Sequence, residues 1–257
     1  MEWSEEGIVV ATRRHGEADL ILEVLTAGHG RHLGLVKGGR SRRMRPILQA
    51  GNTLSLTWRA RLHEHLGNFR AEPVVERSSD LMASPVGAFG LSLAGAHLRL
   101  IPERDPHPRL FEALAILLDS LERPALAAEA MARFELLLLD ELGVGLDLDT
   151  CAATGGSEDL AFVSPKSGRA VSRTAGEPYR DRLLPFPSFL VRGIAGEAAP
   201  KELQEAFLLT GYFLERHVFD VRGEGLPEVR LNFLRAISGA AEAAAQVTEN
   251  ENGRRER

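Results

Sequence analysis

Five apolar residues, Leu54, Leu56, Trp58, Ala60 and Leu62, alternate with Thr53, Ser55, Thr57, Arg59 and Arg61. A period of two puts the first set on one face of an extended strand and the second on the other, so the stretch is predicted as a β-strand with a core face and a polar, basic face. The parity places Trp58 in the core and so removes it as a base-stacking platform. Residues 7–12 and 19–26 read as two further strands joined by a turn near residues 14–16; residues 32–37 form a third, closed by Gly38 and Gly39, and residues 66–75 a fifth. Five short, glycine-rich strands in about 75 residues match a small closed barrel, for which the OB-fold is the common five-stranded solution.

After Ser79 the period changes. Residues 80–101, 108–121 and 124–142 are predicted as helices; the second and third open on Pro108 and Pro124 and the third stops at Gly143. Residues 149–179 break the pattern with Gly155, Gly156, Gly168 and Gly176 and read as an inserted loop or ribbon. Residues 201–219 and 231–245 return to helical periodicity, and the tail from Glu249 has no apolar residue to join a core. The expected architecture is therefore α+β and multidomain: a five-stranded OB barrel over residues 1–80, an all-helical domain over 81–248 with its insertion at 149–179, and a disordered tail at 249–257. No internal repeat is present.

The formal net charge of the 257 residues is −5, which argues against a uniformly basic nucleic-acid binder, but the charge is unevenly spread. Residues 1–80 carry 12 Lys/Arg against 10 Asp/Glu, and residues 81–257 carry 19 against 26. Between Glu23 and Glu64 stand eight basic side chains (Arg31, Lys37, Arg40, Arg42, Arg43, Arg45, Arg59 and Arg61) and no acid. Such a block attracts polyanions; charge alone equally allows a solvated loop. One cysteine, Cys151, excludes an intramolecular disulfide and a four-thiolate metal site. Three glutamates near the start are the reverse of a cationic targeting peptide. The apolar stretch at residues 83–98 is too short for a membrane span. A cytoplasmic protein with no membrane association is expected.

Several chemistries are sought and not found. No G-x-x-x-x-G-K-S/T phosphate loop is present. The segment GLSLAG at Gly90 has Ala94 where a nucleophile elbow needs its second glycine, and it lies in a helix. His29, His32, His63 and His65 are numerous enough to gather a metal, yet they lack a ligand motif and sit among arginines, where surface or phosphate-contacting roles are the commoner use. No cofactor is expected. The cluster Arg40, Arg42, Arg43 and Arg45 is the best candidate: the guanidinium fork matches phosphate oxygens, and such contacts position a sugar-phosphate chain without reading its sequence. Arg59 and Arg61 face outward on their strand and would extend the track across the barrel.

These residues also carry a resemblance. The stretch EEGIVVATRRHGEADLILEVLTAGHGRHLGLVKGGRSRRMRPILQAGN is similar to the N-terminal domain of the RecO family of bacterial DNA repair and recombination mediators. Its G-I/V-V-x-x-x-R-x-x-G-E-x-D opening falls on Gly7, Arg13, Gly16, Glu17 and Asp19. The T-x-x-x-G-R/K element falls on Thr26, Gly30 and Arg31, the K-G turn on Lys37 and Gly38, and the basic loop on Arg40 to Arg45. A second stretch, FELLLLDELGVGLDLDTCAATG from Phe134, resembles the family's helix leading into a zinc loop. The resemblance implies a non-enzymatic protein that binds single- and double-stranded DNA, anneals complementary strands, and works with RecR and single-strand binding protein so that RecA can load. With Arg13 and Arg14 added from the opening motif, the expected DNA contacts are Arg13, Arg14, Arg31, Lys37, Arg40, Arg42, Arg43, Arg45, Arg59 and Arg61. The zinc loop is degenerate: Cys151 stands alone, with Thr154, Ser172 and the neighbourhood of Ala175 at the other three positions. One thiolate cannot close a tetrahedral zinc site, so no metal is expected and packing and hydrogen bonds must hold the loop. Two other readings stay open: an RNA-binding or ribosome-associated OB module, and a protein-docking role for the acidic helical half.

Overall fold

The computed structural model describes residues 1–191 and 198–255, with side chains as far as residue 243. It divides into two compact units, Met1–Glu122 and Arg123–Arg257.

In the first unit, β1 (Glu2–His15), β2 (Asp19–Thr26), β3 (Gly30–Val36), β4 (Thr53–Arg59) and β5 (Asn68–Val75) close a barrel in the order β1-β2-β3-β5-β4. All neighbours are antiparallel except β3 and β5, which meet in parallel at Leu35 and Asn68. This is the OB arrangement, and the α+β expectation holds. β1 is longer than its apolar run because it serves two partners: residues 2–8 pair with β4 and residues 7–15 with β2, with a register shift between Val9 and Ala11 that bends the strand around the barrel. The alternation in β4 is realised: Leu54, Leu56 and Trp58 are fully buried beside Leu22, Val24 and Phe69. It stops at Arg59, and Leu62 is exposed.

The outer face of the barrel is apolar on one side as well. Ile8, Val10, Ile21 and Leu25 are buried, and Ile8 and Val10 pack against Leu91, Ala94 and Leu98 of α3 (Pro85–Leu98) and Leu114 and Leu118 of α4 (Pro108–Ser120). Each such side chain contributes about 1.5–3 kcal/mol on leaving water. The residue-80 boundary therefore marks the change from strand to helix, while the packing keeps α3 and α4 with the barrel. The helix predicted over 80–101 is divided by Pro85 into α3 and the short Ser78–Met82 helix. Ser84, extended as a residue before proline must be, caps α3 by accepting the Gly87 N–H at 3.0 Å. A four-residue helical turn, Met44–Ile47, lies between β3 and β4.

In the second unit, numbering the turn Met44–Ile47 α1 and Ser78–Met82 α2, α5 (Pro124–Glu141) packs with α7 (Pro200–Leu214) and α8 (Glu228–Arg255). A buried network joins them. Glu135 on α5 accepts Arg230 Nε at 2.8 Å, Arg230 Nη2 at 2.9 Å and Thr210 Oγ1 at 2.5 Å, while Arg230 Nη2 also donates to the Phe207 carbonyl at 2.8 Å. The insertion is ordered as a three-stranded sheet, β7-β6-β8, made of β6 (Leu160–Val163), β7 (Ala170–Ser172) and β8 (Leu184–Pro185), with the short helix α6 (Arg173–Gly176) following β7. The tail expected to be disordered instead continues α8 to Arg255, since a helix already nucleated extends by one backbone bond per residue without needing a core; the last two residues lie outside those described.

Candidate nucleic-acid interface

Two turns meet at one end of the barrel. Asp19, the last residue of the G-E-x-D motif, accepts the Gly38 N–H at 2.8 Å, and the Arg40 N–H donates to the Ala18 carbonyl at 3.0 Å. The Arg40 guanidinium donates to the Gly16 carbonyl at 3.4 Å and to the Glu17 carbonyl. Gly38 has a positive φ of 65°, a conformation a side chain disfavours, and it lets the chain turn directly out of β3. The β1–β2 turn and the loop at residues 37–45 are thus stitched into one surface.

That surface gathers cations. Arg13 and Arg14 end β1 opposite Ile21 and Leu20, and Lys37, Arg42, Arg43 and Arg45 extend from the loop and its helical turn; all are exposed. Among the described residues, no carboxylate lies within ion-pair distance of any of the six. Arg40 belongs to the same end but is spent on backbone carbonyls, which makes it a brace. Arg45 also lines an open groove of about 530 Å³ shared with Gln49, Ser78 and Ser79, where Glu76 adds an opposing charge.

The remaining predicted contacts lie elsewhere. Arg31 stands at the start of β3 and is tied down: its Nη1 lies 2.9 Å from Glu23 and 3.7 Å from Glu103, its guanidinium reaches the Ile101 carbonyl, and it is only 12% exposed. Arg59 pairs with Glu2 at 2.6 Å across the β1–β4 ladder, a hydrogen bond that raises the Arg59 pKa. Arg61 lies exposed in the β4–β5 loop. The expected track across the barrel is therefore interrupted. Its strand face alternates cation and carboxylate, with Glu6 opposite Ser55 and Arg70 paired with Glu72 at 3.1 Å.

The opposite end is aromatic. Trp3 stacks on His29 with centroids 4.1 Å apart and planes 10° apart, and behind it lies Trp58 at 5.9 Å and 19°. His32 lies against both tryptophans, and Phe69 meets Trp3 and His32 edge-on. The His32 ring is buried and its Nδ1 has no hydrogen-bond partner among the described residues; burial first, then the positive charges of Arg104, His29 and His63, lower its pKa to about 4, so it is neutral near pH 7. Three of the four histidines considered as metal ligands thus converge on indole rings, and among the described residues no group of three or more His, Cys, Asp or Glu could hold a metal ion. Trp3 was invisible to strand parity because it lies before the first apolar run and meets His29 only through barrel closure.

The degenerate zinc loop keeps its convergence without its ligands. The Cys151 sulfur accepts the Ser172 N–H at 3.2 Å and lies 3.5 Å from Ser172 Oγ. Burial pushes this thiol up, but hydrogen bonds from Ser172, Thr154 and the Ala153 backbone outweigh it and bring the pKa to about 6. The chain is also tied by Ala152 N–H to the Ala170 carbonyl at 2.8 Å and by Arg169 to Asp147 at 3.2 Å. Two hydroxyls and one sulfur do not fit zinc, and hydrogen bonds close the loop instead.

Comparison with known proteins covers most of the chain. Residues 1–76 match the family described as "Recombination protein O N terminal" and residues 86–224 match "Recombination protein O C terminal". The chain is 57% identical over 237 residues to "DNA repair protein RecO" of Chelativorans sp. (strain BNC1), covering 92% of this chain and 96% of that protein. It is 56% identical over 237 residues to the protein of the same name from Mesorhizobium japonicum, covering 92% and 94%. With the Rhizobium etli protein of that name it shares 52% over 255 residues, covering 98% and 99%. An OB barrel with a basic turn, a helical second unit and these matches lead to one conclusion: the chain belongs to the RecO family of DNA repair proteins.

Proposed function

We propose that this protein is a non-catalytic recombination mediator that binds single- and double-stranded DNA through the basic end of its barrel, anneals complementary strands, and assists RecA loading on DNA coated by single-strand binding protein. The observation that carries the reading is the convergence of Arg13, Arg14, Lys37, Arg42, Arg43 and Arg45 at one end with no carboxylate pairing among the described residues. Two strands brought together repel through their phosphates. Guanidiniums that hold both backbones lower that repulsion and leave the base edges free to pair, because phosphate contacts fix orientation without occupying the bases. RecR and single-strand binding protein enter the proposal from family membership alone.

The reading is tested by following annealing of complementary dye-labelled oligonucleotides. The full chain is expected to accelerate annealing at low salt, to lose the effect as salt rises, and to lose it at low salt when Arg42, Arg43 and Arg45 are replaced by alanine. Annealing that is indifferent to both changes would overturn it.

A further inference from the structure

The aromatic end of the barrel has a construction that the phosphate-binding end does not use. Trp58, Trp3 and His29 form a column of nearly parallel rings running from the core to the surface, with interplanar angles of 19° and 10°. The outermost ring is held from several sides. The His29 Nδ1 lies 2.8 Å from Glu5 Oε2, the Gly28 N–H donates to Glu5 Oε1 at 2.7 Å, and the His29 N–H donates to Thr26 Oγ1 at 3.1 Å. Gly30, with φ of 62°, seats the turn so closely against the segment near Asp105 that a Cβ there would fall 1.9 Å from the Asp105 carbonyl oxygen. One face of the imidazole is covered by Trp3 and its Nδ1 edge by Glu5, and the side chain remains 37% exposed.

We propose that the other face of His29, backed by Trp3 and Trp58, is a stacking platform for an unpaired nucleobase. A fixed ring face takes any base, because every base has a π-face, and because the ring is already immobilised the contact costs little ordering entropy. Arg61, exposed in the adjoining β4–β5 loop without an ion-pair partner among the described residues, supplies a cation for the phosphate of the stacked nucleotide. The Arg104 guanidinium holds that loop through the His63 carbonyl and the His65 carbonyl, the latter at 2.9 Å. In a duplex the bases are stacked on each other and cannot reach the ring, so the platform favours single strands. The inference rests on the nucleic-acid reading above.

The experiment compares binding of an oligothymidylate and of an abasic phosphodiester oligomer of equal length to the full chain by fluorescence anisotropy at low salt. The phosphates are the same and only the base faces differ. The wild type is expected to bind the oligothymidylate about five- to a hundredfold more tightly, the range that base–aromatic stacking supplies. His29→Ala should bring the two affinities together while leaving the abasic one unchanged, and His29→Phe, which keeps a ring face, should preserve the difference. Equal affinities in the wild type, or a ratio unmoved in His29→Ala, overturn the platform. If neither oligomer binds, the nucleic-acid reading itself fails, and the platform falls with it.

Discussion

The six cations at the basic end, unpaired among the described residues, differ from Arg31 and Arg59 in their surroundings, and salt can read that difference. Consider replacing Arg42, Arg43 and Arg45 by alanine. Each is exposed and, among the described residues, has no ion-pair partner, so each is available to displace one counterion from a phosphate. On single strands each contact contributes about 0.7 to the slope of log K against log salt, so the triple variant should lower the slope by about 2. At about 0.1 M salt a slope of 0.7 corresponds to roughly fivefold in affinity per contact, hence to a loss of about a hundredfold for three. The assay is anisotropy of a labelled single strand titrated across a salt series. Arg59→Ala should leave the slope unchanged, because Glu2 already neutralises that guanidinium. Arg31→Ala should also leave it unchanged but destabilise the fold, since among the described residues the buried Glu23 would retain only Arg99 as an ion-pair partner, at 3.2 Å. If the triple variant keeps the wild-type slope, or if Arg31→Ala lowers it as much, the assignment of the basic end is wrong.

Two further outcomes follow from buried groups. His32 titrates at about 4 when folded and at about 6.5 when unfolded, so between these values the unfolded chain binds more protons; stability is greatest above pH 6.5 and falls as the pH drops toward 4, by roughly 3 kcal/mol for this group. Urea midpoints measured across that window should show the fall in the wild type and lose this share of it in His32→Phe; an identical pH dependence in the two proteins would refute the placement. Glu135→Ala leaves the Arg230 guanidinium buried without its carboxylate and should cost about 3–5 kcal/mol in urea unfolding; a loss below about 1 kcal/mol would mean that the network joining α5, α7 and α8 contributes only shape.

What could be read from the chain alone was whatever depends on near neighbours. Leu54, Leu56 and Trp58 announce their face through a period of two, and Pro108 and Pro124 announce helix starts; each appears where the pattern puts it. The two-sided burial of β2 was also on view, since Leu20, Ile21, Leu22, Val24 and Leu25 have apolar groups at both parities, and a strand with one wet face does not need that. Reading it would have predicted that helices cover the barrel and that the packing boundary lies beyond residue 80. The acid-free run between Glu23 and Glu64 misled for a different reason. A linear count treats its bounding carboxylates as outside the run, but the β2–β3 hairpin folds Arg31 back onto Glu23, and barrel closure brings Arg59 to Glu2 from the far end of the strand order. The loop at residues 37–45, which neither folds back nor closes a strand pair, keeps the charge that the count assigns to it, as does Arg61 in the β4–β5 loop. A charge run is therefore a statement about function only after its flanks have been followed around the fold, and here the flanks remove Arg31 and Arg59 while leaving Arg42, Arg43 and Arg45 free to meet a phosphate.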